Sequence, residues 1–383
     1  MGVYVHFPWC ARLCPYCDFN VHLAPEPPHA RFADAVLAEL GARAPDFAGR
    51  RLVSIFLGGG TPSMWDPAEV ARVLGAIRGA LSGTAEEVEV TLEANPEDAS
   101  APRLRDLAAA GVNRLSLGVQ GFDDRVLARL GRRHTGAEAM AALEAGLGAG
   151  FASVGVDLIY AVPDMGLDGW SRTLEAAAAT GVPHVSTYNL TVEEGTRFGV
   201  EARRGRLSMP PNDVQLAMYR EAVRCLGGAG LRRYEASNFA RAGHESRHNG
   251  LYWAGEAYLG LGPGACSYLP VGIGGRRWQA VRNPERYMRG ALHHEGAAVE
   301  VEEEELDAEQ TLVERLLMGL RVAEGLDLRA LSERLELDLW GRIRERALAL
   351  SAAGLLDVSP GGARIRATER GTEVLDSVVD ALS

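Results

Sequence analysis

The chain has 383 residues, 47 % of them hydrophobic and 24 % charged, which is ordinary for a globular protein with one large core and room for a smaller one. Lys and Arg number 40 against 51 Asp and Glu, a net charge of −11, and this argues against nucleic acid as the main partner, because such proteins carry a basic footprint. No apolar run is long enough to span a bilayer. With Met1 at its start, no signal-like segment and an odd number of cysteines (five), the chain is expected to be cytoplasmic with reduced thiols.

From Gly2 to about Leu190, short β-branched or apolar runs alternate with Ala-, Leu-, Arg- and Glu-rich segments of helical period. Strands are expected over residues 3–6, 52–57, 88–93, 114–120, 154–160 and 185–190. Helices are expected over 30–44, 67–81, 101–110, 123–130, 137–149 and 169–180, and a further one over 211–227. This alternation predicts an α/β fold with a parallel sheet, either open and doubly wound or curled into a partial (β/α)6 barrel. After Gly230 the alternation stops, and residues 252–268 read as a turn-rich stretch bearing aromatic residues. The acidic run of Glu300 and Glu302, Glu303, Glu304 and Glu305 reads as a solvated linker before a helix. Helices over 310–322, 328–335 and 340–353, a hairpin turning at Pro360-Gly361-Gly362, and a last helix over 371–382 resemble a winged-helix module. Its mixed charge suits packing or partner docking better than DNA. The expected division is a barrel over 1–230, a connecting region over 231–302 and a mostly helical C-terminal domain over 303–383.

Chemistry concentrates where strands run into loops. Cys10, Cys14 and Cys17 follow the first strand. Three thiolates so spaced can hold three irons of a [4Fe–4S] cubane and leave the fourth iron open, whereas clusters used only for electron storage take four cysteines. Zinc is the rival, but its structural sites are closed by four ligands, usually as separated pairs, and Cys225 and Cys266 stand far away. Gly58-Gly59-Gly60-Thr61-Pro62 follows the second strand. It lacks the Lys-Ser/Thr ending of a P-loop, and its glycines would let backbone approach a ligand and expose amide groups; a plain tight turn is the alternative. Glu93, Gln120 and Asp157 are polar residues in apolar strands. Buried acids need partners or ligands, and three polar residues at the carboxyl ends of one barrel would face one polar ligand. Arg132 could supply a cation to a carboxylate or pair with Asp157. His248-Asn249-Gly250-Leu251-Tyr252-Trp253 joins an imidazole to an amide and two amphipathic aromatics, a set able to grip a planar ligand and coordinate its iron. The alternative is a corner with Trp253 in the core and His248 bonded to backbone. His6 and His134 read as satisfied, partly buried residues.

The run Tyr4-x-His6-x-Pro8-x-Cys10-x3-Cys14-Pro-Tyr16-Cys17-Asp-Phe19, followed by Gly-Gly-Gly-Thr-Pro, resembles the radical S-adenosylmethionine (SAM) superfamily, within it the group of oxygen-independent coproporphyrinogen III oxidase and its relatives. The true oxidases carry a further cysteine two places after the triad and an N-terminal extension; here that position is Phe19. His248-Asn249-x-x-Tyr252-Trp253 is similar to the signature of the haem-chaperone branch. The resemblance implies that Cys10, Cys14 and Cys17 ligate a [4Fe–4S] cluster and that SAM takes its fourth iron. It also implies that Tyr4, Tyr16, Gly59, Gly60, Thr61, Glu93, Gln120, Arg132 and Asp157 line the SAM pocket. Haem would sit at His248, with Asn249, Tyr252 and Trp253 beside it and His248 as iron ligand. The implied partners are haem and a client protein that receives it; self-association into a homodimer is left open. Oxidative decarboxylation of a porphyrinogen, or radical chemistry on another substrate, is the competing expectation.

Overall fold

The computed structural model describes residues 1–81, 88–293 and 301–383. Six strands lie within two residues of their expected bounds: β1 Gly2–Phe7, β2 Ser54–Gly59, β3 Glu89–Ala94, β4 Arg114–Gln120, β5 Ser153–Tyr160 and β6 His184–Asn189. They pair in parallel and in sequence order. A doubly wound sheet would reverse its strand order partway; unbroken order winds the sheet one way, as in a barrel. Helices cover it from outside, so β1 and β5 are almost continuously buried, as expected for strands enclosed on both faces.

The helices start where capping chemistry allows. The Asp66 carboxylate accepts from the Ala68 amide at the head of Pro67–Ala80, and Thr135 and Glu138 form a capping box at the head of Gly136–Leu147. A helix over Arg197–Arg203, capped by Thr196, was not expected, because seven residues carry too little periodicity to read. Under β1, Phe7, Phe32 and Trp65 are fully buried and pack with ring centroids 4.9–5.7 Å apart.

The region after Gly230 corrects the expectation of a connecting segment. Strands β7 Arg232–Arg233 and β8 Asn238–Ala240 extend the sheet antiparallel beyond β6. On the far side, β9 Tyr258–Leu261 pairs parallel with β1, and β10 Cys266–Val271, β11 Gly274–Ala280 and β12 Val301–Leu306 continue as an antiparallel meander. The described part of 231–302 therefore belongs to the first core. The glycines that suggested turns include Gly260, which lies in β9 where a side chain would strike the Cys266 carbonyl; close backbone approach, not chain reversal, requires it. The acidic run is likewise an edge strand. Glu303 and Glu304 in β12 face Arg276 and Arg277 in β11, with ion pairs of 3.0 and 2.6 Å, and the charges guard an edge that could otherwise pair with another chain. Glu300 lies outside the described residues.

The C-terminal module has its own apolar core, with Leu316, Leu339, Ile343 and Ile365 buried at its centre. Helices Ala308–Gly319, Leu328–Leu335 and Leu339–Ala352 pack with a small sheet of β13 Leu326–Asp327, β14 Leu356–Val358 and β15 Arg364–Ala367. The last expected helix is broken into Glu369–Glu373 and Leu375–Leu382. The module is tied to the body by Arg277, which bridges Glu304 and Glu314, and by Arg315, whose guanidinium donates to the Trp253 carbonyl at 2.7 Å. Among the described residues no helix is long and apolar enough to cross a membrane.

One buried acid joins three segments. The Glu39 carboxylate accepts from the Tyr287 hydroxyl at 2.6 Å and the Gly262 amide at 2.9 Å, and burial pushes its pKa up to about 7. The folded state thus holds this proton to higher pH than the unfolded chain does. Stability from this group is present below about pH 4.5 and is lost as pH rises to about 7. Glu39→Gln should remove that part of the pH dependence, so that denaturant midpoints of variant and parent diverge between pH 5 and 7 in the variant's favour.

Candidate functional site

The site is built on the junction of β1 and β2. Beyond Phe7 the chain passes Pro8 and pairs Trp9–Cys10 in parallel with His22–Leu23, which closes the cysteine segment into a loop. The loop is pinned at its far end by Asn20. The Asn20 carbonyl accepts from the His6 ring at 2.9 Å, and the Asn20 side-chain amide donates to the Pro263 and Arg282 carbonyls at 2.9 and 2.8 Å. In its middle, the Pro15 carbonyl accepts from the Phe198 amide at 2.8 Å.

The glycine turn clasps this loop. Gly60 and Thr61 donate their amides to the Phe7 and Trp9 carbonyls at 2.7 and 2.8 Å, and Gly59 donates to a Glu93 carboxyl oxygen at 3.1 Å. The expectation that these amides are exposed to a ligand is therefore corrected: the protein uses all three. Glycine is needed because Gly59 has φ +108° and because a Cβ on Gly60 would collide with the Trp9 carbonyl. The Thr61 hydroxyl donates to the Cys10 sulfur at 3.4 Å and accepts from the Asn95 amide at 3.0 Å.

Cys10, Cys14 and Cys17 line one cavity of about 460 Å³ at the carboxyl ends of the strands, together with Tyr16, Gly59, Gly60, Thr61, Glu93, Gln120, Arg132 and Asp157. Tyr4 is not among the lining residues. Its hydroxyl bonds the His6 ring at 3.0 Å, so it stands behind the site as support. Arg132 does not pair with Asp157 as sequence suggested. Its guanidinium donates to the Gly118 carbonyl at 2.7 Å, to Asn95 Oδ1 and, at 3.8 Å, to the Cys14 sulfur, while Asp157 accepts from the Ser116 hydroxyl at 2.9 Å. Asn95, Ser116 and Tyr188 also line it and were not found by sequence; Asn95 in Glu93-Ala-Asn95-Pro was the legible one, since a polar residue just beyond a barrel strand faces the site.

Electrostatically the cavity floor is unusual. Burial, and then the charge of Asp157, push the Glu93 pKa up to about 8, and burial raises Asp157, against which the Ser186 and Ser116 hydroxyls work. At neutral pH Glu93 holds a proton that an arriving cation would displace. Gln120 sits at φ +67°, at an irregularity in the pairing of β4 with β5, a strained conformation of the kind retained at functional positions. The cysteines fit a cluster better than a single ion. Among the described residues no three His, Cys, Asp or Glu side chains converge on one point, as tetrahedral zinc requires. A cubane instead takes each thiolate on a different iron, and the Thr61 hydroxyl and Arg132 guanidinium aimed at Cys10 and Cys14 are the sulfur-directed donors that tune such clusters.

His248 lies at the opposite end of the barrel. Its ring is buried (1 % exposed), bonded at Nδ1 to the Ser54 hydroxyl and at Nε2 to the Tyr252 hydroxyl, both at 2.9 Å. Its amide donates to Glu89 at 3.0 Å. Ser54 and Glu89 are the first residues of β2 and β3. Burial lowers the ring's pKa to about 3, so it is neutral with both nitrogens engaged. The expectation that His248 offers a nitrogen to haem iron does not fit this arrangement. Tyr252 packs edge-on to Tyr258 at 4.7 Å, Asn249 is half-buried, and the Trp253 ring lies under the Arg321 guanidinium at 5.6 Å. His6 and His134 are satisfied, as expected: His134 bonds Glu97 and the Val119 carbonyl.

Residues 4–192 match the model of the radical SAM superfamily, and 306–374 that of the HemN C-terminal domain. The haem chaperone HemW of Mycobacterium tuberculosis is 38 % identical over 389 residues, covering all of this chain and 94 % of the relative. The chain belongs to the HemW branch of the HemN-like radical SAM family. HemW of Bacillus subtilis is 32 % identical over 93 % of this chain and 92 % of its own length. The solved structure of coproporphyrinogen III oxidase (HemN) from Escherichia coli superposes with a TM-score of 0.81 over all of this chain and 89 % of that one; at 23 % identity it is a likeness of fold. Membership of the superfamily implies a [4Fe–4S] cluster and SAM, for which the three-thiol cavity is the site that fits.

Two substitutions probe the two ends. Gly60→Ala should displace the Trp9–Cys10 segment, lowering stability by about 1–3 kcal/mol and cutting the iron bound per chain after anaerobic reconstitution. His248→Ala should lower the unfolding free energy by about 2–4 kcal/mol through lost packing and two orphaned hydroxyls, read from the denaturant midpoint.

Proposed function

We propose that this protein is a haem chaperone: it binds haem, passes it to a client protein, and carries a [4Fe–4S] cluster on Cys10, Cys14 and Cys17 with SAM in the adjoining cavity. End-to-end similarity to proteins named haem chaperones carries this reading. Phe19, 64 % exposed at the rim of the cysteine cavity, supports it against the oxidase alternative, whose members bear a cysteine there. The cluster, when bound, would supply an electron for cleavage of the SAM sulfonium bond, chemistry that belongs to the cofactors.

The chain's own part is to hold and shield. Tyr16 and the Gly59–Thr61 turn form the walls, Glu93, Gln120 and Asp157 present hydrogen-bonding groups to the amine and hydroxyls of SAM, and Arg132 holds positive charge beside the Cys14 sulfur. The C-terminal module, which begins with the helix Ala308–Gly319, would serve docking or packing.

The test is anaerobic. After cluster reconstitution with SAM and reductant, haem is titrated by its Soret absorbance while coproporphyrinogen III is followed in parallel. Stoichiometric haem binding without porphyrinogen loss is the expected result. Turnover to protoporphyrinogen would establish the oxidase instead, and failure to bind haem would leave a radical SAM enzyme of other substrate.

A further inference from the structure

On the reading of this chain as a haem binder, we propose that haem docks in the cleft on the outer side of the cysteine loop, with its propionates on Arg12, Arg129 and Arg197. The cleft encloses about 460 Å³ between the loop and the helix Arg197–Arg203, within the range of small-molecule sites, ~300–1,000 Å³. It is separate from His248, which faces the other end of the barrel.

Two properties select the occupant. The first is apolar surface left to solvent. Leu13 is 48 % and Phe19 64 % exposed, both on the loop, both lining this cleft; a flat apolar ligand laid against them removes that surface from water. The second is charge. Arg12, Arg129 and Arg197 line the cleft against a single carboxylate, Glu201, a local balance of +2 in a chain of net −11. Glu201 is shared by Arg129 at 3.3 Å and Arg197 at 3.1 Å, and Arg12 has no carboxylate partner among the described residues. The Arg129 guanidinium also rests on the Phe198 ring, 5.1 Å from its centroid, and so is held in place before a ligand arrives. Haem has a planar apolar body and two carboxylates on one edge. It matches both properties, and guanidinium forks are suited to bind carboxylates in pairs.

This placement also suits a carrier. A ligand held against a loop and one short helix at the surface is reachable by a second protein, whereas one enclosed in the barrel is not.

Glu201 makes the proposal testable in both directions. With the cluster reconstituted, so that Cys10, Cys14 and Cys17 are occupied by iron, haem is titrated into the full chain. Arg129→Glu/Arg197→Glu should raise the Kd tenfold or more, and Glu201→Gln, which frees two guanidiniums, should lower it several-fold. Arg129, Arg197 and Glu201 do not line the SAM cavity, so iron content and SAM binding report that the fold and cluster are intact. Haem dimethyl ester, which lacks the charges, should bind every form alike. Any pattern in which the two variants fail to move the haem Kd in opposite directions overturns this site while leaving the chaperone reading in place; no haem binding by the parent protein overturns the chaperone reading itself.

Discussion

Everything in the candidate site depends on how closely the end of β1 can lie against the turn after β2. The Phe7 and Trp9 carbonyls receive the Gly60 and Thr61 amides, and the space for this exists because Gly60 has no side chain to meet Trp9. From that clasp Cys10 is placed, with the Thr61 hydroxyl already on its sulfur, and from Cys10 the loop runs to Cys14 and Cys17. The glycine run therefore acts as structure toward its own protein first. It shapes the cavity wall by bringing two strand ends together, and its amides are spent in doing so.

The barrel separates two polar constellations although both draw on β3, with Glu89 at its start and Glu93 near its end. At the carboxyl ends, Glu93 and Asp157 sit in a cavity where burial disfavours their charged forms, and a cationic ligand there would favour release of the proton. At the amino ends, Glu89 is met by the Arg114 guanidinium at 3.7 Å and by the His248 amide; these groups satisfy one another. The first set lines a cavity, and the second is packed away from it. In barrels the first end works on ligands and the second holds the fold together, and the two sets divide here in the same way.

The helix carrying His248 is held from both sides. Its amino end rests on Glu89 and the Ser246 cap, and its carboxyl end is met by Arg315 of the C-terminal module on the Trp253 carbonyl, a cation at the negative end of the helix dipole. Its signature residues thus knit the barrel floor to the terminal module, which gives a packing reason for an imidazole, a phenol and an indole at those positions.

Much was legible in the sequence. Six strands and their helices followed from hydrophobic period, because strands covered on both faces have no choice but continuous burial. The cysteine triad, the glycine turn and the polar residues Glu93, Gln120 and Asp157 could be assigned to one end of one sheet, because parallel strands put all their carboxyl ends on the same side. Tertiary structure decided the rest. Tyr4 and Arg132 had the right chemistry and sequence neighbourhood, yet His6 claims the one, and Asn95, Gly118 and Cys14 the other, partners no local pattern specifies. The acidic run became an edge strand because Arg276 and Arg277 stand opposite it. His248 has the donor atoms of an iron ligand, and only the packing of a distant helix against the starts of β2 and β3 shows that both are taken. Sequence sets which groups are present and which strand end they occupy; which of them remain unsatisfied, and so free to act, is fixed only when segments more than a hundred residues apart meet.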